Sequence, residues 1–139
     1  MREAFFLFLG TLIGFYITVI HERLARLRDF RAKMKVFRIR LHETPDNGIS
    51  AFYQSSRLEV LESCAVIHAD IFWWNRARFE TACATYHAAQ QDEDARIQNV
   101  FVHTLYPKAA AMNPDQRTLD ERIRWSLAEL VRCARLGLA

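Results

Sequence analysis

Residues 4–20 read AFFLFLGTLIGFYITVI and residues 21–40 read HERLARLRDFRAKMKVFRIR. The first run has no charged side chain, and its seventeen residues at helical rise cover ~25 Å, near the short limit for crossing the hydrocarbon core of a bilayer. The second run is strongly basic. Apolar residues continue through it at Leu24, Leu27, Phe30, Met34, Phe37 and Leu41, extending from Ile20 in steps of three and four. That spacing lines one face of a helix, with Arg and Lys on the others. No proline interrupts residues 4–42, so the sequence predicts a membrane anchor that continues as one long helix beyond the bilayer.

Charge sets the expected orientation. Arg2 balances Glu3 before the apolar run. After it stand Arg23, Arg26, Arg28, Arg31, Lys33, Lys35, Arg38 and Arg40 against Glu22 and Asp29, a net of +6. Lys and Arg within about 15–20 residues of a span hold their side in the cytoplasm. The sequence therefore places the C-terminal part in the cytoplasm, with the short N-terminus on the other side of the membrane. A cleaved signal peptide keeps its positive charge before the apolar run and ends at a small-residue site. Here the charge follows, and Thr18-Val19-Ile20-His21 has no A-x-A pattern. Cys64, Cys83 and Cys133 form an odd, sparse set that suits a reducing compartment better than a disulfide framework.

The overall formal charge of +3 does not indicate nucleic acid. The basic excess lies beside the span, where anionic headgroups reward each Lys or Arg by about 1 kcal/mol. Arg23, Arg26, Arg28 and Arg31 are the expected headgroup contacts. Residues 41–139 carry a net charge of −3 and no basic-aromatic stripe.

Thr44-Pro45-Asp46-Asn47-Gly48 predicts the end of the long helix. The capping-box pattern Ser56-Arg57-Leu58-Glu59 marks an expected helix start, with Leu58, Leu61, Ala65, His68 and Phe72 inward and Cys64, Ile67 and Ile71 beside them. Trp73-Trp74-Asn75-Arg76 reads as a tight connection, followed by Phe79, Ala82, Cys83, Tyr86 and Ala89 at helical period. Gln90 to Asp94 reads as a polar break. A shorter segment (Ile97, Val100, Phe101, Thr104, Leu105) then ends at Pro107, before a loop over 107–117. A second capping box, Thr118-Leu119-Asp120-Glu121, opens a last helix with Ile123, Leu127, Leu130, Val131 and Ala134 inward, stopping near Gly137. No run alternates with period two. The expected fold is all-α: an anchor over 1–20, a basic juxtamembrane helix over 21–43, and a small cytosolic helical bundle or hairpin domain over 49–139.

This order, with Phe79-Glu80-Thr81-Ala82-Cys83-Ala84-Thr85-Tyr86 after an aromatic-basic turn, resembles a group of short, uncharacterised bacterial single-pass membrane proteins. Their turn is followed by a pattern like F-x-x-A-W-x-x-Y. Phe79, Ala82 and Tyr86 match it, and Cys83 stands where that pattern has tryptophan. The resemblance implies a bacterial or prophage origin and carries no activity with it.

Two constellations stand out. Gly10 and Gly14 form a GxxxG within the apolar run, and Thr18 extends it to a stripe of small residues. Such a stripe lets two membrane helices approach closely, and we expect it to serve as a membrane interface with a second copy or another membrane protein. Cys64-Ala65-Val66-Ile67-His68-Ala69 recurs as Cys83-Ala84-Thr85-Tyr86-His87-Ala88. With a turn centred between Asn75 and Arg76, Cys64 falls opposite His87 and His68 opposite Cys83, four ligands of the kinds zinc takes. The spacing matches no common finger, and free cysteine often packs as a small hydrophobe. The expectation is therefore that Cys64, His68, Cys83 and His87 are core residues, with no metal and no other cofactor.

No P-loop, dinucleotide-binding glycine pattern or H-E-x-x-H occurs, and no histidine lies inside the span to ligate haem. The sequence thus reads as a membrane-anchored structural or interaction protein, not an enzyme, assembling with itself or with a partner membrane protein on the cytoplasmic face. The alternative is a regulatory or sensory module, phage-related, that binds a cytosolic ligand or effector.

Overall fold

The computed structural model describes residues 2–105 and 118–135, and every regular element in them is helical. Four α-helices follow in order: α1 (Arg2–Glu43), α2 (Ile49–Ile67), α3 (Trp73–Leu105) and α4 (Leu119–Cys133). Helix α1 is one unbroken rod of 42 residues, about 63 Å long at helical rise. The anchor and the juxtamembrane segment expected from sequence are thus two halves of one helix.

Those halves have different surroundings. From Ala4 to Ile20 every side chain is exposed, and Phe8, Phe15 and Tyr16 are each more than 60% exposed. From Leu27 onward the expected stripe is buried: Leu27, Phe30, Met34, Phe37 and Leu41 are at most 6% exposed, with Leu24 packed against them. Ile20, the first member of the series, belongs to the exposed half. The helix ends as expected. Pro45 cannot continue the ladder, and Thr44 satisfies late carbonyls through Oγ1 to Arg40 O (2.7 Å) and N to Leu41 O (3.2 Å). A 3-10 turn over Asp46–Gly48 then reverses the chain.

Helix α2 begins seven residues before the expected capping box. Ser56 is not a cap but a buried mid-helix residue, its Oγ donating to Phe52 O at 2.8 Å. Ile49 and Tyr53 are buried, and their packing extends the helix upstream. The inward face consequently runs through Tyr53, Val60, Cys64 and Ile67. That stripe lies one residue, about 100° of helix, from the one expected. Leu58 is 69% exposed, Ala65 and His68 are exposed, and Leu61 and Phe72 are half-buried.

The α2–α3 connection also lies earlier than expected. A 3-10 turn at His68–Asp70 and two further residues make it, and Trp73 already starts α3. Ile71 turns extended (φ −66°, ψ 131°) and becomes fully buried, so an apolar residue entering the core breaks the helix here. Arg26 holds the preceding Asp70 in place through its guanidinium, at 2.7 and 2.9 Å from the two carboxylate oxygens.

Gln90 to Asp94 is not a break, since α3 runs through it. Its carboxylates are used by α4: Glu93 accepts from Leu119 N at 3.0 Å, and Asp92 lies 3.7 Å from the Arg122 guanidinium. A carboxylate beside a helix N-terminus meets unsatisfied N–H groups and the positive end of the helix dipole. Side-chain packing of the segment after Ile97 and the 107–117 loop lie outside the described residues, while α4 ends at Cys133 with Ala134 as its C-cap, short of the stop expected near Gly137.

Helix α4 opens with the complete capping box expected at Thr118 and Glu121, with Thr118 N to Glu121 Oε2 at 2.8 Å and Glu121 N to Thr118 Oγ1 at 3.3 Å. All five expected inward residues are buried. Nine of its fifteen residues are buried, which makes α4 the central element of the core. Its start meets Glu93, Arg124 approaches His42 near the end of α1, and the Cys133 carbonyl accepts from Asn75 Nδ2 at the start of α3. The helices therefore run alternately away from and back toward the apolar half of α1.

Candidate functional site

The apolar half of α1 is the largest feature that the chain's own packing leaves unused. Its most apolar eighteen residues have a mean hydropathy of 2.0, and none is buried. It is the one helix among the described residues long and apolar enough to cross a membrane. Its two threonine hydroxyls are satisfied within the helix, Thr11 donating to Leu7 O at 2.8 Å and Thr18 to Gly14 O at 3.0 Å. Such back-bonding is what a polar side chain in hydrocarbon requires. A methyl group placed on Gly10 or Gly14 would meet nothing within 4 Å, so the Gly10–Gly14–Thr18 stripe faces open space.

The basic collar is partly engaged in the fold. Arg23 donates from Nε to Asp70 O at 2.7 Å, and its guanidinium lies 4.4 Å from the centre of the Phe72 ring. The hydrogen bond and charge of Asp70 raise the already high pKa of Arg26. These two arginines hold the α2–α3 turn against α1, a role the sequence reading did not assign them. Arg28 is exposed and Arg31 half-buried. Nothing in the sequence marked Asp70 as their partner beyond a lone acidic residue next to an aromatic run.

The cysteine–histidine quartet is not assembled. Cys64 instead lies beside Cys83, four residues short of the Cys64–His87 pairing expected. The neighbouring Cys83 thiol, together with burial, pushes the Cys64 thiol well up. The histidines diverge and are exposed, correcting the expectation that they pack in the core. His68 Nε2 lies 2.9 Å from Glu80 Oε1, and His87 Nδ1 lies 2.9 Å from an Arg57 guanidinium nitrogen. Among the described residues, no group of three or more His, Cys, Asp or Glu side chains is placed to hold a metal ion.

The Phe79–Tyr86 pattern is a packing device. Phe79, Ala82 and Tyr86 are each at most 1% exposed. Tyr53 Oη lies 2.8 Å from both Tyr86 O and His87 O, and Tyr86 Oη lies 2.8 Å from Ser56 Oγ. Burial pushes the Tyr86 hydroxyl up to about 12. A second polar group sits under α4, where Glu129 accepts from Arg78 at 2.6 Å and from Arg132 at 3.1 Å, with its side chain 7% exposed. Both clusters join neighbouring helices through hydrogen bonds and ion pairs that can fix helix register. Sequence spacing gave no sign of them, because each joins residues at least thirty apart or lies within the core stripe of α4.

Against known proteins, the chain matches no family model, no curated protein and no solved structure. The surface it offers is therefore read from its own geometry: an uncovered apolar helix with a small-residue stripe, joined to a packed helical body.

Proposed function

We propose that this chain is a membrane-anchored interaction protein. Residues 4–20 cross a bacterial inner membrane, and the helices from residue 21 onward form a bundle on its cytoplasmic face. There it assembles with a second copy or with another membrane protein, through the Gly10–Gly14–Thr18 stripe. The observation that carries the reading is the division of α1. One continuous helix is wholly exposed and apolar over residues 4–20, then supplies a core stripe from Leu27 to Leu41. Apolar area left in water costs roughly 25 cal/mol per Å², so an uncovered helix of this kind calls for a covering phase. A bilayer supplies it. The collar from Arg23 to Arg40 supports the cytoplasmic side for the packed helices.

The test is topological. In a bacterial host, a reporter active only in the periplasm and fused after Ala139 should stay silent, and a cytoplasmic reporter at the same place should be active. The chain should also remain with membranes through alkaline carbonate extraction. A periplasmic signal overturns the orientation, and release by carbonate overturns the anchor.

A further inference from the structure

The most exposed large apolar side chain among the described residues is not in the apolar run of α1. It is Trp73, 79% exposed, at the turn between α2 and α3. It stands in a small aromatic patch. Trp74 stacks on Phe72 with ring centres 4.7 Å apart and planes 8° from parallel, and Trp73 meets Trp74 edge-on at 5.7 Å. Arg23 lies over the Phe72 ring. An indole left this open in water forgoes the burial of a large apolar surface.

The height of this patch is fixed by the bonds that hold it. Asp70 O accepts from Arg23 Nε, and the Asp70 carboxylate takes the Arg26 guanidinium side-on. Arg23 is three residues beyond Ile20, about 4.5 Å along the helix, and Arg26 about 9 Å. The turn is thus pinned where hydrocarbon gives way to headgroups if residues 4–20 span the bilayer. Tryptophan is enriched at that depth, because its ring is apolar and its N–H needs a polar partner. The adjacent Arg76 is exposed, and with the basic collar it complements anionic headgroups.

We propose that Trp73, backed by Trp74 and Phe72, inserts into the headgroup region of the membrane that α1 crosses. The α2–α3 turn is then a second membrane contact, one that fixes how the packed helices are rotated about α1. This rests on the anchoring reading above. The occupant is the lipid interface, since the patch is tied through Arg23 to the helix turn that follows the apolar run and is flanked by Arg23 and Arg76.

Trp125 provides an internal reference. It follows Arg124, whose guanidinium lies 3.3 Å from His42, a residue about 33 Å beyond Ile20 along α1. The experiment uses the full chain reconstituted in phosphatidylcholine–phosphatidylglycerol vesicles, with and without lipid brominated near the headgroup. Flotation of the vesicles reports whether the chain is membrane-bound. A Trp74→Phe, Trp125→Phe variant leaves Trp73 as the emitter, and a Trp73→Phe, Trp74→Phe variant leaves Trp125. We expect brominated lipid to remove roughly half or more of the Trp73 emission and to leave that of Trp125 nearly unchanged. The unsubstituted protein, read in parallel, should lose most of its emission except the Trp125 share. Floating protein whose Trp73 emission ignores bromine overturns this proposal and leaves the anchor standing. A blue-shifted but unquenched Trp73 does the same, because protein and not lipid then covers it. A chain that does not float overturns both.

Discussion

Tyr86 shows how one residue of a helical apolar stripe becomes a structural fixture. Its ring is fully buried, and its hydroxyl shares a hydrogen bond with Ser56. Burial disfavours the phenolate, so the folded chain holds this hydroxyl at about 12 against an ordinary 10.0. The sign follows directly. A raised acid contributes stability that is complete below pH 10 and is lost as pH rises through the folded value. Urea unfolding should therefore show stability falling between about pH 10 and pH 12, and Tyr86→Phe should flatten part of that fall. An unchanged slope in the variant would show that Tyr86 is not the group responsible. The cysteines give a second residue-scale expectation. Cys64 and Cys83 face each other while His68 and His87 bond Glu80 and Arg57, so purified protein should hold well under one zinc per chain. Stoichiometric zinc lost on Cys83→Ser would mean the histidines swing inward to bind it.

At the level of elements, rotation of α2 is the point most open to measurement. Val60 is fully buried and Leu58 is 69% exposed, although spacing alone favoured Leu58. Val60→Ala should cost on the order of 1–3 kcal/mol in urea unfolding, and Leu58→Ala should stay within about 0.5 kcal/mol. The reverse ranking would restore the face drawn from spacing. Helices α1 and α4 were legible because their signals are strong and local. Seven apolar positions in steps of three and four, ended by a proline, define the first, and a capping box ahead of an amphipathic run defines the second. Helix α2 was not, because Ser56-Arg57-Leu58-Glu59 imitates a start that burial of Ile49 and Tyr53 overrides. The turn near residue 70 was hidden for a related reason. Trp73 and Trp74 look like a connection, but the break is made by Ile71 entering the core and by Arg26 capturing Asp70, both long-range events. The earlier turn also bears on the candidate site, since Cys64 lies beside Cys83 in place of His87.

For the whole molecule, the apolar run and its small-residue stripe were legible from composition and spacing, and the structure adds that Gly10 and Gly14 have no close neighbour among the described residues. That makes Gly14 an unusually clean place to test assembly. In most glycine substitutions a new side chain disturbs the protein's own packing, and a loss of function is then ambiguous. Here a methyl group on Gly14 meets nothing within 4 Å, so Gly14→Ile leaves the folded monomer sterically intact and keeps the span apolar. What it does change is the closest approach of a second helix, where branched bulk replaces a backbone-to-backbone contact. Chemical cross-linking in native membranes, followed by detergent extraction, should show the unsubstituted chain in a complex with itself or a captured partner. Gly14→Ile should abolish that complex, while Leu12→Ile, of similar bulk but off the stripe, should preserve it. Both variants should still resist carbonate extraction, which separates lost assembly from lost insertion. If Gly14→Ile assembles as well as the parent chain, the apolar run serves only as a tether and the helices that follow it must supply the interface.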